Sequence, residues 1–176
     1  SVIARDVSEA KCSPIHENAA RMHMNNIVVQ MHDGRIPDPS LENTADVLYC
    51  DLPCSGLGII GRKSDIKYGI TSETLNSITD LQKKIMQAVW NYVRPGGILM
   101  YSTCTIHRAE NEKMVHWICE HFPFEPVSME NALPSQLLEE TSVREGYLQL
   151  LPGQYGTDGF FFAKLRRKQQ EGEESV

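Results

Sequence analysis

The run Ile98 to Ser102 (ILMYS) does most to limit what this chain can fold into. It is apolar on both faces, and Arg94-Pro95-Gly96-Gly97 separates it from the helical pattern before it. A strand buried on both sides belongs in the middle of a parallel sheet, and a parallel sheet needs helical crossovers on either side of it. The rest of the chain supplies them. Val2-Ile3-Ala4 ends in Arg5-Asp6 and reads as a strand; Ser8 or Ser13 can cap the helix that follows, with Pro14 at its first position and Ile15, Ala19 and Met22 at helical spacing. Asn26 to Met31 reads as a second strand closing on His32-Asp33-Gly34, and Asp46 to Cys50 as a third. Thr71 to Val93 is a long helix with Ile78, Leu81, Ile85, Ala88 and Tyr92 as its apolar stripe. Ala109 to Phe122 is another, and Tyr147 to Leu151 with Phe160 to Leu165 form a late strand pair. The alternation predicts an α/β fold: a doubly wound, mostly parallel sheet with a C-terminal antiparallel hairpin.

In such sheets chemistry gathers at the carboxyl ends of the strands. Asp6, Asp33, Asp51 and Cys104 all fall there, and Cys54 follows the third strand in VLYCDLPCSGLG. A strand-end carboxylate either caps the next turn or bonds a substrate. A free cysteine either packs as a small hydrophobe or, as a thiolate, acts as a nucleophile. Two strand-end cysteines in one sheet, each beside small polar residues, are unusual for packing. The five cysteines are odd in number and contain no CxxC pair, which argues against a disulfide framework or a zinc site and fits a reduced, cytoplasmic compartment. No apolar run approaches membrane-spanning length. The net charge of -6 runs against a nucleic-acid partner, and the basic clusters Arg62-Lys63 with Lys67, Lys83-Lys84 and Arg166-Arg167-Lys168 read as solvated surface.

In this order, ARDVSE (Ala4 to Glu9), HDGR (His32 to Arg35), DLPCSGLG (Asp51 to Gly58), IIGRKSDIKY (Ile59 to Tyr68), PGGILMYSTCTIHRAEN (Pro95 to Asn111) and LPGQYGTDGFFFAKL (Leu151 to Leu165) resemble the Sun/Fmu-type RNA cytosine methyltransferases, RsmB-type enzymes above all. That resemblance implies a Rossmann-like class I fold and methylation of carbon 5 of a cytosine in RNA, in particular small-subunit ribosomal RNA. It implies S-adenosylmethionine as cofactor, Cys104 as the nucleophile, Cys54 as the group that assists product release, and Asp51 as the partner of the base near its ring nitrogen 3. Asp6 would take the cofactor ribose hydroxyls and Asp33 the adenine amino group, with Asp51 also close to the cofactor. His107, Arg108 and Asn111 would shape the nucleophile loop or simply start a surface helix. Lys67 and Tyr68 would touch RNA or order their loop, and the late aromatics Phe160-Phe161-Phe162 would fill core.

These enzymes carry a glycine-rich cofactor loop immediately upstream of the ARDVSE equivalent, whereas this sequence opens at the second strand. The expectation is therefore a partial catalytic domain over residues 1–166 and a charged, disordered tail over 167–176. Such a fragment is expected to bind S-adenosylmethionine weakly or not at all, to be inactive by itself, and to self-associate through exposed strand edges. Two other readings stay open: a non-catalytic RNA-binding or ribosome-assembly module of the same fold, and an amino-group nucleobase methyltransferase that needs no thiol.

Overall fold

Strand β4 (Val93–Thr103) is the spine of the molecule, here described from a computed structural model that covers residues 1–138 and 140–169. Before it come β1 (Val2–Asp6), α1 (Glu9–Arg21), β2 (Ile27–Met31), β3 (Ala45–Asp51), the short α2 (Ile66–Gly69) and α3 (Ser72–Val89); after it come α4 (Glu112–His121), β5 (Phe124–Pro126), β6 (Tyr147–Leu150) and β7 (Phe160–Arg167). β4 pairs in parallel with β3, setting Asp51 opposite Ser102, and antiparallel with β7, setting Thr103 opposite Phe161. β5 and β6 also pair antiparallel with β7. β1 and β2 form a separate parallel pair.

The α/β class and the late hairpin are as the pattern predicts. The sheet itself is mixed and lies in two pieces, because β7 returns antiparallel against β4, β5 and β6. β4 also starts five residues before the apolar run. The strand continues through Pro95-Gly96-Gly97, with Gly96 at φ +78, where the β3–β4 register shifts between Ala45 and Val47. At Gly97 a side chain would meet the Asp46 carbonyl at 3.0 Å, so only glycine lets the two strands close over that irregularity. Pro14 lies inside α1 instead of at its first position, and Ser8 holds the N-cap position.

Leu99, Tyr101, Phe161, Ala163 and Leu165 on the sheet pack against Met86 and Val89 of α3 and Met114 and Ile118 of α4, forming the main core. Phe161 fills core as expected, while Phe160 and Phe162 are half-buried and pack on each other. Arg167, assigned by sequence to the charged tail and to a solvated cluster, is instead the buried last residue of β7. Its guanidinium donates to the Asn43 side chain and the Val93 carbonyl and lies over the Trp90 ring. Residues 170–176 of the expected tail lie outside the described residues.

Candidate active site

β3 and β4 run side by side and end together, so the residues just beyond them share one rim. Leu52 N–H donates to the Ser102 carbonyl, continuing the ladder one step past β3. Pro53 then turns the chain, and Gly56, at φ +70, turns it again. Gly58 N–H donates to the carbonyl of Cys104, and Gly159 N–H donates to the carbonyl of Gly58. A side chain at Gly58 would sit 2.1 Å from the Gly159 oxygen, so the approach of these three segments depends on glycine.

The two cysteine loops are thereby pressed together. The Sγ atoms of Cys54 and Cys104 lie 3.2 Å apart, both as free thiols and both half-buried. Burial first, and then the neighbouring Cys104 sulfur, push the Cys54 thiol up to about 12, so it keeps its proton at neutral pH. Asp51 remains exposed at the rim, with Oδ1 accepting from Ser102 Oγ at 3.0 Å.

One cavity of about 810 Å³ joins this rim to the ends of β1 and β2, with Asp6, Asp33, Asp51, Cys54 and Cys104 all on its wall. The structure therefore brings together every site residue singled out by sequence. Asp6 accepts from Val7 N–H at 2.7 Å and stands 3.7 Å from Lys11 Nζ. Asp33 is wrapped by Arg35, which donates from its backbone and its guanidinium and holds the carboxyl down at about 2. Leu48, Leu81, Ile85 and Val89 supply apolar wall to the same cavity. Leu81 and Ile85, read from sequence as core stripe, line the cavity, Ala88 and Tyr92 of that stripe are buried as read, and the buried positions of α3 are Gln82, Met86, Ala88 and Val89.

Other residues divide. Asn111 shapes the loop around Cys104: it accepts from Thr103 Oγ1 at 2.6 Å and donates to the Thr105 carbonyl at 2.9 Å. It also occupies the N-cap position of α4, but it is buried there, so the reading of a surface helix start does not describe it. Arg108 is exposed and pairs with Glu112, as a surface helix start would. Tyr68 is exposed, with Lys67 Nζ over its ring.

Sequence reading missed Glu110, Gln82, Ser55 and Thr105, all of them buried polar residues beside the thiols. For Ser55, Thr105 and Glu110 the only signal was closeness in sequence to a cysteine, and Gln82, in the middle of α3, had none; nothing in a linear pattern shows that an acid three residues after His107 has no contact with solvent.

A model of the 16S rRNA methyltransferase RsmB/F family matches residues 1–166. The chain is 39% identical over 171 residues to a probable ribosomal RNA small subunit methyltransferase B of Bacillus subtilis, covering 96% of this chain and 38% of that protein. It is 31% identical over 169 residues to ribosomal RNA small subunit methyltransferase F of Citrobacter koseri, covering 95% and 35%. The chain thus spans little more than a third of these relatives. Among solved structures it resembles NSun6 from Pyrococcus horikoshii with SFG, at a TM-score of 0.74 and 25% identity over 94% of this chain and 41% of that one. On the match across nearly its whole length, the chain belongs to the RsmB/F family of 16S rRNA methyltransferases.

Proposed function

We propose that this chain carries the catalytic centre for transferring a methyl group from S-adenosylmethionine to carbon 5 of a cytosine in RNA, with small-subunit ribosomal RNA as substrate. One observation carries the reading: two thiols 3.2 Å apart share a cavity wall with three strand-end carboxylates. Carbon 5 of cytosine is a weak nucleophile. Addition of the Cys104 sulfur to carbon 6 makes the ring an enamine, and carbon 5 becomes electron-rich. Asp51, on the rim beside the thiols, bonds the base near ring nitrogen 3 and stabilises the charge that develops there. After carbon 5 accepts the methyl group it must lose its proton, and the carbon 6–sulfur bond must break.

Cys54 is suited to that second half. While the Cys104 sulfur is free, the contact between the two sulfurs helps burial keep the proton on Cys54. Once that sulfur is bonded to carbon, the contact and its charge are gone, Cys54 gives up its own proton to solvent more readily, and its thiolate can then take the proton from carbon 5. The order of events is thus built into the spacing. A base must leave its stack to reach this rim, which favours single-stranded or flipped-out cytosine.

The cavity also fits the cofactor. Its volume lies within the usual range for small-molecule sites, and its wall combines apolar side chains with three carboxylates and two thiols. Asp6 has acceptor capacity left for ribose hydroxyls. Asp33 would meet the adenine amino group with Arg35 already on its carboxylate, so the two residues act there as one unit. S-adenosylmethionine supplies an activated methyl group when bound.

The test is an adduct assay with the full-length protein, S-adenosylmethionine and a ribosomal RNA fragment. Cys54→Ala is expected to trap a covalent protein–RNA species on a denaturing gel, and Cys104→Ala to abolish both adduct and methylation. Methylation by both single variants would overturn the assignment.

A further inference from the structure

Glu110 is the most thoroughly buried acid near the site, with no exposed surface at all. A carboxylate is retained in such a place only when donors surround it. Oε2 accepts from Ser55 N–H at 2.8 Å and from Gln82 Nε2 at 3.3 Å. Oε1 accepts from Ser55 Oγ at 2.6 Å and lies 3.4 Å from His107 Nδ1. Gln82 Nε2 also donates to the Pro53 carbonyl at 2.9 Å. Both neighbours of Cys54 are thus tied to Glu110, Ser55 directly and Pro53 through Gln82.

The network then crosses to the other thiol. Ser55 Oγ lies 2.8 Å from Thr105 Oγ1, and Thr105 follows Cys104 directly. Thr105 Oγ1 in turn accepts from His107 N–H at 3.2 Å. A carboxylate only accepts, so the hydroxyls are forced into one direction: Thr105 donates to Ser55, and Ser55 donates to Glu110. Asn111, the next residue, holds Thr103 and Thr105 on either side of Cys104.

We propose that Glu110 is a positioning residue that sets the separation of the Cys54 and Cys104 sulfurs. This rests on the methyl-transfer reading only for its catalytic consequence; the geometric claim stands alone. Glu110→Gln keeps the size of the side chain but exchanges one acceptor for a donor. Ser55 N–H and Oγ–H then either compete for a single oxygen or the hydroxyl chain to Thr105 must reverse, and in both cases the charged acceptor that ties the loops together is lost.

The thiols themselves serve as the ruler. Diamide takes two electrons and two protons from a pair of adjacent thiols, leaving a disulfide and the reduced hydrazine. In the 176-residue chain the Cys54–Cys104 disulfide, read by peptide mass spectrometry, is expected to form at least tenfold more slowly in Glu110→Gln than in the parent. Ser55→Ala and Thr105→Val, which cut the same network further along, are expected to slow it about threefold; they also keep the test alive if Glu110→Gln does not fold. In the full-length protein, Glu110→Gln is expected to lower kcat at least tenfold with KM for RNA unchanged, a split that general loosening of the fold does not produce. Unchanged crosslinking and kcat in Glu110→Gln, with adduct still trapped by Cys54→Ala, would overturn the positioning role and leave methyl transfer standing. Slow crosslinking in Glu110→Gln with no adduct from Cys54→Ala would overturn the methyl-transfer reading and support the positioning role.

Discussion

The β1–α1–β2 segment and the sheet around β4 are both built from apolar runs, yet only the second is held by an apolar core. Leu99, Tyr101, Ile118, Phe161 and Leu165 are all fully buried, whereas Val2, Ile3, Val28 and Met31 are 44–63% exposed, and Cys12 is the one buried residue of the first segment. What ties that segment down is largely polar. Arg5 donates to Gln30 and reaches Asp38 at 2.6 Å, and Asp38 N–H donates to the Tyr92 hydroxyl. The difference divides the chemistry as well. Asp6 and Asp33 stand on the half fastened by charges, and Asp51, Cys54 and Cys104 on the half fastened by packing. Half of the cavity wall thus rests on polar fastenings and half on a packed core.

The largest expected effect lies in the core. Leu99→Ala removes a fully buried side chain between β3 and β7, and about 2–5 kcal/mol of stability should go with it. Val28→Ala, on an equally apolar strand, should change stability by no more than about 0.5 kcal/mol. Urea denaturation of the two variants checks the contrast, and equal losses would erase it. A smaller, local effect is expected at the polar fastening. Arg5→Ala should make the amides of Ile3 to Asp6 and Val28 to Met31 exchange several-fold faster while those of Leu99 to Thr103 keep their protection. Exchange that accelerates evenly over both halves would show one cooperative unit.

The same contrast explains what the sequence could disclose. Strand-helix alternation placed β1, β2, β3 and the centre of β4, because those runs carry a period or an unbroken apolar stretch. It also placed the site, since strand ends are visible as the points where apolar runs stop. Burial was not visible. Val47 and Tyr49 read like core yet are mostly exposed, while Gln82 and Glu110 read like surface and are fully buried. Whether a run is covered depends on which elements pair beside it, and that is decided by contacts far apart in sequence. The short β5 was missed because its three residues have no period to read, and the pairing of β7 with β4, beyond its hairpin with β6, because hydrophobicity carries no sign of which strand will be a neighbour.

Proton chemistry separates the halves most gently and gives the last test. In the polar half, Arg35 holds the Asp33 carboxyl down at about 2, and Ser40 with Arg5 does the same for Asp38. Carboxyls depressed by folding stabilise the fold above their ordinary value near 4, and that support is lost as the pH falls toward about 2. In the packed half the sign is opposite. Burial raises Cys50 to about 12, and burial with the Cys104 contact does so for Cys54. Unfolding frees thiols that ionise near their ordinary value of about 8.5, so stability is intact below that pH and drains away as the pH rises toward 12. Acid should therefore loosen β1 and β2 first, and alkali the thiol loops. Trp90 and Trp117 both pack against the main core, so their fluorescence reports that half. It should hold steady at pH 3 while the β1 and β2 amides lose protection relative to their intrinsic exchange rates at that pH, and it should shift between pH 9 and 11, later in Cys50→Ala than in the parent. A fluorescence change that comes first on the acid side would mean that the charges around Asp33 and Asp38 support the whole molecule.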